Sequence, residues 1–104
     1  NVALHYNSSA DEAEQLKKEI NNKNVECEIF QFDLREVSKI GALFDDVLSR
    51  FGSIDILINN ASIFYETKFL DTTEEMFDNN FDVNFKAPFF LSHTYLVYTL
   101  RQIV

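Results

Sequence analysis

Small polar residues follow each of three apolar segments in this chain, and they could bind the polar edge of a flat ligand. They are Asn7, Ser8 and Ser9 after the first segment, Asp33 after the second, and the run Asn-Asn-Ala-Ser (59–62) after the third. Their amides, hydroxyls and carboxylate form hydrogen bonds, and the small side chains admit close approach. If the three segments are parallel strands, these groups meet at the carboxyl edge of one sheet, where such folds bind ligands.

Strands and helices that would position these residues alternate along the chain. Segments 2–6, 25–33 and 54–58 are short and apolar, which predicts strands, the last one buried on both faces. Helices are predicted between and after them, so the order is β-α-β-α-β-α-α. With about 30 residues per unit, this order predicts one α/β domain, without an internal boundary, around a parallel sheet.

The helix before the third strand carries the clearest periodic signal. Its apolar positions recur at helical spacing, and Gly52 fits the position just after its end. Those positions are Val37, Ile40, Phe44, Val47, Leu48 and Phe51.

Start signals predict two further helices. Ser9 with Glu12 forms a capping-box pattern that opens the first helix of the chain. Asp71 or Thr72 caps the third helix, with Thr72 and Glu75 as a second box and Met76, Phe77 and Phe81 as its apolar residues. Pro88 marks a break or the first turn of a last helix, 89–104, which is apolar almost all round, as in a subunit interface.

Composition narrows the classes of function. A net charge of −8 argues against nucleic acid and anionic membranes as partners. One cysteine, Cys27, allows no internal disulfide and fits a reducing compartment. His93 has no carboxylate or cysteine nearby in sequence, so no metal site is predicted. The chain has 2 glycines where average usage gives about 7, and it opens on Asn1 directly before a strand, so we expect a piece of a longer protein.

Three segments together resemble the short-chain dehydrogenases/reductases, nicotinamide-dependent enzymes with a Rossmann-type fold. They are "FDL" (32–34), "IDILINNASIF" (54–64) and "FDVNFKAPFFLS" (81–92), in the family's order and spacing. The resemblance implies a Rossmann-type, doubly wound parallel sheet that is incomplete, from the family's second strand through its fifth helix. It also implies a cytoplasmic homo-oligomer, a dimer or tetramer, that joins through helix 89–104.

The same resemblance implies roles for individual residues. Asp33 accepts from the adenine amino group with help from the Leu34 amide, and Asn60 and Ala61 line the coenzyme through main-chain contacts. Asn84 is the catalytic asparagine, which holds a helix kink and, through its carbonyl, a water of the proton relay.

The residues after the first strand bear on the choice of coenzyme. The resemblance implies that the segment His5, Tyr6, Asn7, Ser8 and Ser9 binds the adenosine ribose. No acidic side chain there repels a 2′-phosphate, which favours NADP(H), with NAD(H) as the alternative. Some NADP-preferring relatives place an arginine where Ser8 stands.

A narrower resemblance to the pteridine reductase branch rests on Ser62, Phe64 and the "HYNSS" segment (5–9). It implies that Ser62 contacts coenzyme and substrate and that Phe64 stacks on a pterin ring. The family's glycine-rich turn, its Tyr-x-x-x-Lys pair and the catalytic serine or aspartate before that pair are not in this sequence, which again predicts a partial chain.

Structural interpretations stand beside these functional ones. Asp33 could cap a helix, and Phe64 could be a packing residue. Asn59 and Asn60 could form a turn, and Asn59 could bond backbone between neighbouring strands. His5 could be a satisfied strand histidine, and Cys27 a core residue. For the whole protein, the alternatives are a 3-oxoacyl carrier-protein reductase, a sugar dehydrogenase, or a truncated, non-catalytic binding module.

Overall fold

A computed structural model describes the backbone of residues 1–103 and the side chains through Arg101. The final residues of the predicted interface helix, Gln102, Ile103 and Val104, thus lie wholly or partly outside the described part. The main elements in chain order are β1 (Val2–Tyr6), α1 (Ala10–Asn21), β2 (Cys27–Gln31), α2 (Ile40–Phe51), α3 (Glu74–Phe81) and α4 (Ala87–Ile103). Shorter helical turns are the 3₁₀ turns Val37–Lys39 and Phe69–Asp71 and the π-helical turn Asp82–Lys86.

The strands β1 and β2 form a parallel pair, as the β-α-β pattern predicted. Val2 lies opposite Cys27 and Tyr6 lies opposite Gln31, so the two strands end at the same edge. The loop between α1 and β2 turns through Asn24, whose φ of 60° lies in the left-handed region that asparagine tolerates. The N–H of Cys27 then donates to Asn21 Oδ1 at 2.8 Å, which fixes the start of β2 against the end of α1.

The helix α2 lies where its apolar period predicted it, after one 3₁₀ turn. Ile40, Phe44 and Val47 are buried, with Ile40 only 1% exposed. Gly52 follows the helix with φ 81°, and its N–H donates to the Leu48 carbonyl at 2.7 Å. The predicted glycine stop is therefore confirmed, because this backbone conformation favours glycine.

The prediction of a third strand at 54–58 is wrong for this structure. A strand requires backbone hydrogen bonds to a neighbouring strand, and within residues 1–103 only β1 and β2 form a sheet. Ile56 and Ile58 are 77% and 79% exposed, so burial on both faces is not observed either. The second strand also ends at Gln31, two residues before the predicted Asp33.

Both predicted capping boxes are wrong in detail. Ser9 does precede α1, but its backbone lies at ψ 61° and its side chain makes no capping hydrogen bond. The third helix is capped one residue later than predicted, by Thr73, whose Oγ1 accepts from the Met76 N–H. Thr72 instead donates to the Lys68 carbonyl and ends the preceding 3₁₀ turn.

One long helical rod is continuous from Glu74 to Ile103, so Pro88 does not break it but lies in the first turn of α4, which was the other predicted alternative. Its middle is the π-helical turn, and Pro88 is the second residue of α4. Proline has no N–H and its ring clashes with the carbonyl four residues earlier, here that of Asn84, so a local irregularity in the helix accommodates it. The predicted apolar face of α3 is not buried, since Phe77 and Phe81 are 61% and 45% exposed.

The main core joins the loop after β2, the helix α2 and the start of α4. Ile54 and Ile63, from the segment without a strand, pack against this cluster. Its buried members are Phe32, Leu34, Ile40, Phe44, Val83 and Ala87. Cys27, 3% exposed, is a buried residue as predicted. No helix within residues 1–103 is long and apolar enough to cross a membrane.

Candidate active site at the carboxyl edge

The ends of β1 and β2 are tied together by backbone and side-chain hydrogen bonds. The Phe32 N–H donates to the Tyr6 carbonyl at 2.9 Å, which continues the ladder one residue past β2. His5 Nε2 donates to the Phe32 carbonyl at 2.8 Å. His5 is thus the satisfied strand histidine of the structural interpretation, and it holds the two strand ends in register.

The loop after β1 is held by a residue that the sequence analysis did not single out. Gln31 Nε2 donates to Asn7 Oδ1 at 3.1 Å and also approaches the Asn7 carbonyl at 3.3 Å. Ser8 and Ser9 remain exposed beside this contact. The position of Gln31 opposite Tyr6 at the last β2 residue could have indicated the role, since neighbouring parallel strands end together.

Asp33 lies directly past β2, as predicted, with its carboxylate bound by Arg35. Arg35 Nη2 donates to Asp33 Oδ2 at 2.6 Å, and Arg35 Nε donates to Oδ1 at 3.0 Å. The Arg35 backbone N–H donates to the same Oδ1 at 3.0 Å. These hydrogen bonds hold the pKa of the Asp33 carboxyl below its usual value. The side chain of the adjacent Leu34 is buried in the core, which anchors the loop that carries Asp33.

Asn84 holds the third predicted site segment through its side chain. The Ile63 N–H donates to Asn84 Oδ1 at 2.8 Å, and Asn84 Nδ2 donates to the Ile63 carbonyl at 2.7 Å. The amide therefore pairs with both backbone groups of one residue, as a neighbouring strand would. Asn84 lies at a helix irregularity, as predicted, whereas its side-chain pairing with Ile63 was not predicted.

Asn59 and Asn60 lie at the start of the same segment. Asn59 Nδ2 donates to Ser92 Oγ of α4 at 3.1 Å. The interpretation that Asn59 bonds backbone between strands is therefore wrong, because no strand lies beside it within residues 1–103. The Asn60 N–H donates to the Ile58 carbonyl at 3.1 Å, which makes a tight local turn.

The side chains of Asn60, Ala61, Ser62 and Phe64 are all open to solvent. Phe64 is 86% exposed and packs into no core, so the packing interpretation does not describe it here. Ile63, between them, points into the core cluster that also contains Leu34 and Val83. The Asp33 loop, the 59–64 segment and the π-helical turn therefore meet around one cluster.

Arg35 is the positively charged partner of the Asp33 carboxylate. The hydrogen bond to Asp33 raises the pKa of Arg35, with smaller Coulombic contributions from Tyr65 and Asp82. Tyr65 belongs to the segment that follows Phe64, and Asp82 opens the π-helical turn. The edge thus offers carbonyls, amides, hydroxyls and an ion pair around small residues, a set that suits a polar, flat ligand.

Comparison with known proteins identifies the family that this chain resembles. The profile of the family described as short chain dehydrogenase matches residues 1–103. The short chain dehydrogenase/reductase nsrJ of Aspergillus novofumigatus is 34% identical over 91 residues, which are 88% of this chain and 34% of that protein. The 3-oxoacyl-acyl-carrier-protein reductase FabG of Staphylococcus aureus is 34% identical over 89 residues, 86% of this chain and 36% of that protein.

A solved structure gives the same result for the fold. The short chain dehydrogenase from Burkholderia cenocepacia in complex with NADP superimposes with a TM-score of 0.87 at 29% identity. The match covers 92% of this chain and 39% of that one. The chain thus spans about a third of the length of the curated relatives it matches. The Rossmann-type α/β architecture is confirmed, and the chain belongs to the short-chain dehydrogenase/reductase family.

Proposed function

We propose that the full-length protein is an NADP(H)-dependent oxidoreductase, and that this chain supplies part of its dinucleotide-binding domain. The observation that carries the proposal is the meeting of the Asp33 loop, the 59–64 segment and the Asn84 turn around one buried cluster. Doubly wound folds bind dinucleotides at the carboxyl edge of their parallel strands. Hydride transfer belongs to the coenzyme; this chain's residues bind and orient it.

The proposed coenzyme contacts follow the order of the strand ends. Asp33 accepts from the adenine amino group beside the Leu34 N–H, and Asn60, Ala61 and Ser62 line the path toward the nicotinamide. The loop of residues 5–9 takes the adenosine ribose, with His5 acting through the backbone that it holds. Exposed small side chains along 60–62 leave room for such an approach.

NADP(H) rather than NAD(H) is favoured by the side chains after β1. Asn7, Ser8 and Ser9 carry no negative charge, so they do not repel a 2′-phosphate. The Burkholderia relative described above was solved in complex with NADP, which supports the same choice. A dissociation constant for NADPH that exceeds that for NADH would overturn it.

Asn84 is the proposed catalytic asparagine. In a regular helix the N–H of residue 88 would donate to the Asn84 carbonyl. Because Pro88 has no N–H, this hydrogen bond cannot form. That carbonyl is suited to hold a water of a proton relay, while the Asn84 amide keeps the 59–64 segment against the turn. Asn84 would then take part in proton transfer and would also hold the 59–64 segment of the coenzyme site in place.

The proposed substrate is a pterin or a carbonyl compound. For a pterin, the ring of Phe64 is 86% exposed and free to stack on a flat heterocycle, with Ser62 two residues earlier on the same segment. The alternative is a 3-oxoacyl thioester, favoured by the 34% identity to the FabG reductase of Staphylococcus aureus. A sugar dehydrogenase of the same family is a further alternative.

The deciding assay is NADPH oxidation by the full-length protein with dihydrobiopterin, dihydrofolate and an acetoacetyl thioester in parallel. Turnover of either pterin supports the pteridine assignment. Turnover of the thioester alone supports the 3-oxoacyl reductase and overturns the pterin one. A protein that binds neither NADPH nor NADH would be the non-catalytic binding module of the other class.

We also propose a cytoplasmic homo-oligomer, a dimer or tetramer, joined through helix 89–104. Large apolar side chains on that helix are open in the monomer, with Phe89, Leu96 and Leu100 at 59%, 56% and 60% exposure. A row of this kind is suited to packing against a partner helix. Sedimentation of the full-length protein with Leu96→Glu beside wild type tests the interface, and an unchanged oligomer would exclude it.

A further inference from the structure

Asp33 and Arg35 are joined by several hydrogen bonds, which is more than a simple surface salt bridge contains. Besides the bonds already given, Arg35 Nε lies 3.1 Å from Asp33 Oδ2, so the guanidinium spans both carboxylate oxygens. The backbone N–H of Arg35 adds a donor to Oδ1 from a fixed direction. A forked guanidinium and a backbone donor together fix the plane of a carboxylate, which a single ammonium contact does not.

The number of donors leaves one part of the carboxylate free. A carboxylate offers about four lone-pair positions, two on each oxygen. On Asp33, Oδ1 takes the backbone N–H and Nε of Arg35, whereas Oδ2 takes one short bond from Nη2 and shares Nε. Three donors therefore share four acceptor positions, and the one left over is assigned to Oδ2 because Oδ2 does not accept the backbone N–H. The Asp33 side chain is 23% exposed toward solvent.

A charged acceptor of fixed orientation discriminates between purines. The amino group at position 6 of adenine is a donor, whereas the 6-oxo group of hypoxanthine is an acceptor and repels a carboxylate. Hydrogen bonds to ionised groups are stronger than neutral ones, and a mismatched acceptor pair leaves both groups without a partner. The discrimination holds only while the carboxylate is ionised and points at the purine edge.

We propose that Arg35 is a positioning residue that orients the Asp33 carboxylate, so that Oδ2 selects a 6-amino over a 6-oxo purine in the coenzyme. This inference rests on the coenzyme role proposed above, and it adds a residue outside the motifs that carry the family resemblance. Arg35 acts through Asp33 and does not itself touch the coenzyme in this proposal.

The chain offers a matched control in the same segment. Lys39 pairs with Glu36 at 2.7 Å, is 63% exposed, and removes the same unit of positive charge when it is replaced. It makes no hydrogen bond to Asp33. Lys39→Ala therefore reports the general effect of lost charge, and Arg35→Ala reports that effect together with the loss of orientation.

The experiment measures dissociation constants of NADP⁺ and of its hypoxanthine analogue by calorimetry on the full-length protein. Wild type, Arg35→Ala, Arg35→Lys and Lys39→Ala are compared. We expect wild type to prefer the adenine coenzyme, Arg35→Ala to reduce that preference about tenfold, and Arg35→Lys to restore part of it. Lys39→Ala should keep the wild-type preference.

The pH dependence gives a second readout that a purely structural role would not change. The groups that act on Asp33 are the Arg35 side chain and backbone N–H, and Tyr65 and Asp82 make only small Coulombic contributions to the pKa of Arg35. Because Arg35 lowers the pKa of Asp33, wild type should keep its adenine preference further into acid than Arg35→Ala does. The change in preference, not in total affinity, is the quantity compared.

Two results would overturn the inference: an unchanged ratio of the two affinities in Arg35→Ala, and a wild type that binds neither coenzyme. An unchanged adenine preference in Arg35→Ala would exclude the orienting role. An equal loss of affinity for both coenzymes, without a change in their ratio, would assign Arg35 to folding or to a phosphate contact. Wild type that binds neither coenzyme would overturn the proposed function itself and this inference with it, and binding by wild type separates the two failures.

Discussion

Residues 1–51 and residues 53–73 differ in what satisfies their backbone. The first region contains β1, β2, α1 and α2, and its backbone groups pair within helices and along the parallel ladder. The second region has one short 3₁₀ turn and no strand, and large side chains such as Ile56, Ile58 and Phe69 are exposed. A strand needs a neighbouring strand to pair with, and residues 53–73 pair with none within residues 1–103.

Side chains of the long helical rod hold the second region in place. Asn84 pairs with both backbone groups of Ile63, and Tyr95 Oη donates to the Asp55 carbonyl at 2.6 Å. These contacts replace, at separate points, the hydrogen bonds that a neighbouring strand would supply. The candidate site thus combines the hydrogen-bonded strands β1 and β2 with a segment that is held by individual side chains. The contribution of each region can be tested separately.

The largest effect on stability is expected from a cavity in the core of the first region, residues 1–51. Ile40→Ala removes a side chain that is 1% exposed and should lower the free energy of unfolding by about 2–5 kcal/mol. Leu16→Ala, at a position 42% exposed, is the control and should cost much less. Urea unfolding of the full-length protein measures both, and equal losses would contradict the packing described here.

The next effect breaks the second region alone. Asn84→Ala removes two hydrogen bonds to Ile63, each worth about 1 kcal/mol, so the 59–64 segment should open locally. Hydrogen exchange should show faster exchange of the Ile63 amide, with the β2 amides unchanged. Asn80→Ala, which removes only a bond to the Met76 carbonyl within the rod, is the control. Equal protection at Ile63 in all three proteins would show that Asn84 does not hold the segment.

A smaller effect concerns the ion pair that joins α1 to β2. Lys17 Nζ donates to Glu28 Oε1 at 2.7 Å and, with the Ile29 N–H, holds the pKa of the Glu28 carboxyl below its usual value. The stabilisation is therefore present above the unfolded pKa and is lost as the pH falls through the lowered folded pKa. Glu28→Gln should be less stable than wild type at neutral pH, with the difference disappearing in acid.

Urea midpoints across a pH series measure this difference. Glu19→Gln removes an exposed carboxylate that, among the described residues 1–101, accepts only from Gln15, so it is a matched control with little expected change. A Glu28→Gln difference that stays constant as the pH falls would assign its effect to packing rather than to charge.

The smallest effect on stability is expected at the exposed aromatic residue of the second region. Phe64→Ala should change the free energy of unfolding by less than about 0.5 kcal/mol, because the ring contributes little to the core. If Phe64 stacks on a pterin, the same change should raise KM for dihydrobiopterin in the full-length protein. Steady-state kinetics measure this, and unchanged KM and kcat would remove the stacking role.

Periodic patterns in the sequence predicted the first region well. The apolar spacing from Val37 to Phe51 and the glycine after it placed α2 to within one 3₁₀ turn. The strand–helix alternation predicted the parallel pairing of β1 with β2. These features are local or follow from short-range connection rules, so a single sequence contains enough information for them.

Two kinds of contact could not be predicted from such periodic patterns. Helix capping depends on the exact backbone angles before the helix, so Thr73 caps where Thr72 was predicted and Ser9 does not cap at all. The pairing of Gln31 with Asn7 joins residues distant in sequence through side chains that have no characteristic spacing. Such contacts depend on the relative position of two elements, which only packing defines.

By itself, the sequence determined the β1-α1-β2-α2 order, the motifs that mark the family, the position of Asp33 just after β2, and that of Asn84 at a helix irregularity. Tertiary structure alone decided how these residues are used: Arg35 binds the Asp33 carboxylate, and the Asn84 amide bonds the Ile63 backbone. The physical reason is that hydropathy and chain connectivity act locally, whereas a hydrogen bond between distant residues requires atoms placed within about 3 Å of each other.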